Sequence, residues 1–273
     1  MELNLFYNKN KVNTELESII LKRLESFIEK LKNDKKLNNH VLSFGIVWPC
    51  ARWQWYWSNE NSRSDIDFFA LTSQINPSAD KYLKNEFDKI FEKKLDCWIL
   101  IWNKKRSYLR PDLMFFEYVT RGNFLYWTKP EAITFDKISK FEVFRNLIYR
   151  SHFFLKMFEI EHGKMILKNK NKELFLYHYS KIIFSIEEVI LILTGNYIAD
   201  NFGRKNRLVD NKLIKLYPNN FLDIHNTIFK YRFDNIIPES FDYDMYINNA
   251  FELLETTYSI IWAELFNNRL DDI

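Results

Sequence analysis

Asp65 and Asp67 stand two residues apart in Arg63-Ser64-Asp65-Ile66-Asp67-Phe68-Phe69. On a β-strand alternate residues face one side, so this spacing predicts two carboxylates projecting together while Ile66 and Phe68 point into a core. Paired carboxylates repel each other unless a shared proton or a divalent cation compensates. Hard oxygen ligands on a rigid strand suit Mg²⁺, which takes one or two carboxylates and completes its shell with water and phosphate oxygens. A third acid, Asp112 in Arg110-Pro111-Asp112-Leu113, is expected to open another strand beside the pair. Three acids on neighbouring strands can hold two metal ions, one activating an attacking hydroxyl and the other stabilising a leaving pyrophosphate. Solvated charges on a strand edge give the same acid-x-acid pattern, so the flanking elements decide between the two.

Hydrophobic spacing makes those elements legible. From Thr14 to Leu37, Leu16, Ile19, Ile20, Leu24, Phe27, Ile28 and Leu31 recur at three-and-four spacing, which predicts an amphipathic helix with Thr14 as its N-cap. HVLSFGIVWP reads as a buried strand ending at Pro49, and after a loop SDIDFFALT reads as a second. PSADKYLKNEFDKIFEKKL predicts a helix, CWILIWNK a third strand and PDLMFFEYVT a fourth. The expected first domain is therefore an α+β unit over residues 1–128. From Lys129 onward EAITFDKISKFEVFRNLIYRSHFFLKMFEIEHGKMIL, KELFLYHYSKIIFSIEEVILILTGNY, NKLIKLY and YDMYINNAFELLETTYSIIWAELFNNRL all show helical periodicity, so 129–273 is expected to be an α-helical bundle. No Gly/Ser/Pro-rich linker separates the halves, and a crevice between them is the default place for a ligand.

Composition narrows the function classes. Among 273 residues there are only 5 Gly and 6 Pro, which argues against a Gly-rich dinucleotide fold or a turn-dense all-β fold. The 2 cysteines exclude a disulfide scaffold and a structural zinc cluster. A net charge of +3 is too close to neutral to serve as a nucleic-acid footprint, so nucleic acid is not an expected partner. No apolar run is long enough for a membrane span, and the polar N-terminus MELNLFYNKNK lacks the apolar core of a signal peptide, which together predict a cytoplasmic protein.

The order of these segments, strand, loop, Ser-Asp-Ile-Asp, apolar strand and a later acid at Asp112, resembles the DNA polymerase β-like nucleotidyltransferases. Within them the chain is most similar to the lincosamide and aminoglycoside-type enzymes with a helical C-terminal domain. The stretch from Asp112 through Glu117 to Arg121-Gly122-Asn123-Phe124 resembles their acid-bearing strand and following turn. Leu193-Thr194-Gly195-Asn196-Tyr197 and Lys230-Tyr231-Arg232-Phe233-Asp234 resemble segments of their helical domain. The resemblance implies a bacterial, Mg²⁺-dependent enzyme with two metal ions that moves a nucleoside monophosphate, AMP from ATP, to a hydroxyl of a small antibiotic-like or sugar-like acceptor. It implies Asp65 and Asp67 as metal ligands and Asp112 as the third carboxylate, ligand or general base. It also implies a helical acceptor-binding domain, and it leaves a homodimer open. Where the family has Gly-Ser after its first strand, this chain has Pro49-Cys50-Ala51-Arg52. Proline offers no N–H to a triphosphate, so phosphate contacts fall to the neighbourhood of Cys50 and to Arg52, Arg63 and Ser64. If none of them serves, the fold is a binding module that has lost turnover.

Trp53, Trp55 and Trp57 crowd the loop before the acids, together with Trp48 and Tyr56. They either pack beneath the loop or stack on a nucleobase or acceptor, and in a module without turnover they would form the partner surface. Glu117, Glu187 and Tyr197 complete the candidate acceptor contacts. Glu187-Glu188 interrupts an apolar helix, either on a solvated face or facing the crevice. Arg145-Asn146 followed by His152 fits the loose Arg-His pattern of HEPN-type ribonucleases, although an interdomain ion pair is the simpler use of Arg145; modification of a protein or an RNA is the remaining reading.

Overall fold

A computed structural model of the chain describes residues 14–46, 66–91, 97–127, 129–162, 164–234 and 236–267. The architecture is α+β, with a small mixed sheet and a large helical content. Two compact units divide the chain, Met1–Ile138 and Ser139–Ile273. The division falls after Ile138 rather than after Thr128 because the intervening segment is tied back to the first unit. The Tyr108 hydroxyl donates to the Glu131 carbonyl at 2.8 Å, and Phe135 meets the edge of Phe116 with ring centroids 5.6 Å apart.

The first unit runs α1 (Thr14–Asn33), α2 (Lys35–Asn38), β1 (Val41–Ile46), β2 (Ile66–Thr72), α3 (Pro77–Phe91), β3 (Cys97–Asn103), α4 (Lys104–Leu109), α5 (Leu113–Arg121) and β4 (Asn123–Trp127). Its sheet has the order β3-β2-β1-β4. β1 is antiparallel to both β2 and β4, whereas β2 and β3 are parallel. A parallel pair needs a crossover, and α3 supplies it. One face of the sheet carries a phenylalanine core: Phe27, Phe44, Phe68 and Phe87 are all solvent-free, and Phe44 stacks on Phe68 with centroids 5.6 Å apart. Leu24, Phe27 and Leu31, the apolar stripe of α1, close over that face. Strand alternation sends Phe69 to the opposite face, where it packs against Tyr118 and Phe115 of α5.

The expected fourth strand, PDLMFFEYVT, is instead the helix α5, and the true fourth strand β4 follows it. An apolar run of this length does not distinguish buried strand from buried helix. The ends decide. The Phe115 N–H donates to Asp112 Oδ1 at 2.7 Å, an N-cap bond that satisfies one of the orphan donors of a first helical turn. Gly122 ends the helix, and a Cβ there would come within 2.6 Å of the Tyr118 carbonyl oxygen.

The second unit contains α6 (Phe141–Leu155), a hairpin of β5 (Phe158–Glu161) and β6 (Lys164–Leu167), α7 (Lys172–Leu193), α8 (Asn201–Val209), a 3-10 turn at Lys212–Leu216, α9 (Phe221–Asp234) and α10 (Tyr243–Trp262). The central element is α7, which packs against α6, α8, α9 and α10. A helix surrounded in this way must be apolar nearly all round, and from Phe175 to Leu193 most of α7 is buried. It stops at a Schellman turn: the Asn196 N–H donates to the Leu191 carbonyl at 2.8 Å and that of Gly195 to the Ile192 carbonyl at 3.1 Å, with Gly195 at φ +70°. Where continuous helix was expected, residues 158–167 form the β5–β6 hairpin, whose alternation FEIE is the signal that the longer helical pattern obscured. No helix among the described residues is long and apolar enough to cross a membrane.

Candidate functional site

Asp67 is the second residue of β2 and lies opposite Trp98 of β3 in the parallel ladder. Alternation places it on the same side as Phe69 and Leu71, the side covered by α5. With β1 and β3 paired on either side, β2 is an interior strand, and the half-buried carboxylate of Asp67 is held on a backbone that pairs with Trp98 of β3, one residue from the Ile46–Phe68 pair with β1. Such a carboxylate is suited in donor chemistry to a hard cation and in rigidity to positioning one. Asp65, the other half of the pair, lies outside the described residues, as do Cys50, Arg52, Arg63, Ser64, Trp53, Trp55 and Trp57.

Asp112 does not begin a strand. Its carboxylate N-caps α5, so the alternation argument that would bring three acids together on adjacent strands does not apply to it. Glu117 is half-buried in the middle of α5 rather than on a strand. Among the described residues no group of three or more His, Cys, Asp and Glu side chains is arranged to hold a metal ion.

In the second unit the candidate acceptor contacts prove to be interior. Glu187 is 0% exposed and faces Arg204 of α8 and His225 of α9. Its Oε2 is 3.0 Å from His225 Nε2, and its Oε1 is 3.6 Å from Arg204 Nε. Arg204, itself 2% exposed, donates from Nη1 to the Tyr197 hydroxyl at 2.6 Å and to Glu188 Oε1 at 3.2 Å, and from Nη2 to Asn201 Oδ1. The other oxygen of Glu188 accepts from the Asn146 amide of α6 at 2.6 Å. Glu187 therefore does not line an open crevice, and Tyr197, 4% exposed, is a hydrogen-bond partner of Arg204. Arg204 escaped the sequence reading. The signal was present in Glu187-Glu188: acids inside an apolar helix must be paired, because an unpaired buried charge is prohibitively costly.

Local capping explains how α8 delivers its arginine. Asp200 accepts from the Gly203 N–H at 2.8 Å, and a Cβ on Gly203 would lie 2.4 Å from Ile198 Cδ1 and 2.8 Å from the capping Asp200 Oδ2, so a side chain there would have to displace both. Arg145 is half of a short-range ion pair with Glu142, 2.6 Å away on the same helix, and His152 is exposed further along it. In the first unit His40 Nε2 lies 2.6 Å from Asp80 Oδ1, fastening the start of β1 to α3. A second tie joins α1 to α3: Asp34 accepts from the Tyr82 hydroxyl at 2.7 Å and pairs with Lys30 at 3.1 Å. The Tyr82 hydrogen bond, followed by Lys30 and backbone donors, holds the Asp34 carboxyl down at about 2. Compared with models of known protein families the chain matches none, and no curated protein is significantly similar to it.

Proposed function

We propose that the chain is a Mg²⁺-dependent nucleotidyltransferase that moves AMP from ATP to a hydroxyl of a small, antibiotic-like or sugar-like acceptor. The observation that carries the reading is the placement of Asp67 near the start of an interior strand of a mixed sheet, two residues after Asp65. The two carboxylates would hold the metal, and Arg52, Arg63 and Ser64 would contact the triphosphate. When bound, Mg²⁺ would neutralise phosphate charge and favour ionisation of the attacking hydroxyl. The rigid strand contributes positioning, which can supply several kcal/mol of barrier lowering when the reacting groups are pre-aligned. With Asp112 spent in a helix cap, the reading rests on the pair alone, and one or two carboxylates are what Mg²⁺ ordinarily takes from protein.

The cap also favours a second reading, a binding module that keeps the fold without turnover and works through its Trp-rich loop. Incubation with Mg²⁺ and each nucleoside triphosphate in turn, followed by thermal shift and pyrophosphate release against a panel of hydroxylated acceptors, separates the two. Turnover that disappears in Asp67→Asn, with the thermal midpoint kept, supports the enzyme. A midpoint unmoved by any nucleotide supports the module.

A further inference from the structure

The register of the first unit's sheet sets a tryptophan beside the strand carboxylate. Trp98 of β3 is the ladder partner of Asp67 on β2, and side chains paired in a ladder leave the sheet on the same side. Packing on both faces of β3 agrees. Ile99 belongs to the phenylalanine core on the α1 side, with Cys97 and Ile101 packed against it, so Trp98, Leu100 and Trp102 face α5. Trp102 meets Phe69 with ring centroids 3.5 Å apart and stands edge-on to Phe115 of α5 at 5.5 Å. Four residues earlier on the same face that cover has thinned: Asp67 is half-buried and Trp98 is 54% exposed, whereas Phe69 is solvent-free.

An indole with more than half its surface open, on a strand rather than a loop, is a rigid stacking platform. Its backbone pairs with β2 from Cys97 to Asn103, so its distance from the carboxylate is set by an inter-strand spacing of about 4.8 Å. In nucleotidyl transfer the acceptor oxygen bonds to the α-phosphorus as the bond from that phosphorus to the leaving pyrophosphate breaks. The pyrophosphate takes the electron pair, and the hydroxyl proton passes to solvent. The attacking oxygen must first lie within about 3 to 3.5 Å of the phosphorus. Adenine is separated from that phosphorus by the whole ribose, whereas the acceptor's nearest carbon is separated from it by a single oxygen. A platform one strand away from the metal-holding carboxylate therefore suits the acceptor better than the base. The apolar C–H side of a hydroxylated six-membered ring fits an indole face and leaves its outward hydroxyls to react.

We infer that Trp98 is a specificity residue that stacks on the ring of a cyclic, sugar-like acceptor whose hydroxyl is presented at Asp67. The inference takes its reaction from the nucleotidyl-transfer reading and its geometry from the sheet. Methyl α-glucopyranoside serves as the ring acceptor, and mannitol, polyhydroxylated but open-chain, as its control. With the full chain, Mg²⁺ and ATP, Trp98→Leu should raise the KM for the glucoside about tenfold, the loss of one stacking contact, while the KM for ATP stays within about twofold. Trp98→Phe should recover most of that loss. Binding is read apart from turnover through the Trp98 indole N–H resonance in nitrogen-15 NMR, assigned by its absence from Trp98→Phe. The glucoside should move it saturably and mannitol should not. A saturable shift without pyrophosphate release overturns the transferase and keeps the ring contact. Release with an unmoved Trp98 resonance, with an unchanged glucoside KM in a folded Trp98→Leu, or with a raised KM for ATP instead, overturns the ring contact and keeps the transferase. Absence of both shift and release overturns both.

Discussion

Arg204→Met is expected to destabilise the helical unit by about 3 to 5 kcal/mol, the usual cost of stranding one side of a buried ion pair. At the 3.6 Å separating Arg204 Nε from Glu187 Oε1, and with an effective dielectric constant of about 20, the mutual attraction is about 5 kcal/mol. In the intact fold most of that attraction is consumed by taking both groups out of water, so the network contributes little net stability. Deleting one partner removes the attraction and leaves the desolvation cost. Glu187, at 0% side-chain exposure, then keeps His225 Nε2 at 3.0 Å, while Glu188, at 17%, keeps the Asn146 amide at 2.6 Å. Glu187→Gln should cost less, because Arg204 keeps Glu188 at 3.2 Å and the amide can still meet His225. In the double variant the penalties should not add: a cycle of the three variants is expected to show at least about 2 kcal/mol of coupling. Urea unfolding monitored by circular dichroism measures each term, and for a unit of this size the Arg204→Met loss corresponds to a fall in Tm of roughly 10 to 15 °C. A single-variant loss under about 1 kcal/mol, or additivity within about 0.5 kcal/mol, would refute the argument that these charges are mutually dependent.

Asp112→Ala removes the N-cap of α5 and should cost the first unit about 1 kcal/mol in urea unfolding, a loss that Asp112→Asn largely avoids; equal behaviour of the two variants would show that the cap bond does not matter. His178 has an ordinary value of 6.5 and is held at about 4 in the folded chain. Between those limits the unfolded chain binds a proton that the folded chain does not, so stability is full above about pH 6.5 and falls as the pH drops towards 4. His178→Asn should flatten that part of the profile, and an unchanged slope would mean that the ring is not held neutral by its surroundings. Asp67→Asn should abolish nucleotidyl transfer without shifting the Tm by more than a few degrees, and full activity in this variant would remove the carboxylate from the proposed chemistry.

Much of the scaffold was legible because simple periods dominate it. The three-and-four spacing of Leu24, Phe27 and Leu31 locates α1, and the two-residue alternation of Phe68 and Ala70 against Phe69 and Leu71 locates both faces of β2. The pattern failed where it was degenerate. Leu113-Met114-Phe115-Phe116 is apolar without a diagnostic period, and only the bond between Asp112 and the Phe115 N–H reveals a helix. Residues 158–167 failed for the opposite reason, since a short hairpin between two helices is hidden inside a longer helical pattern.

The sequence by itself determined that Asp65 and Asp67 stand two residues apart, that the fold is α+β, and that Glu187 stands inside an apolar helix, where it must meet either solvent or a charge partner. These follow from the backbone period and from the cost of burying an unpaired charge, both of which act locally. Only the tertiary structure decided which partner that is. Arg204 and His225 sit on two other helices, and no spacing rule connects them to Glu187. The same holds for Asp112, whose carboxylate was expected on a strand beside the pair and caps its own helix, and for Arg232, which the packing of α7 and α9 brings to the ring of Tyr177.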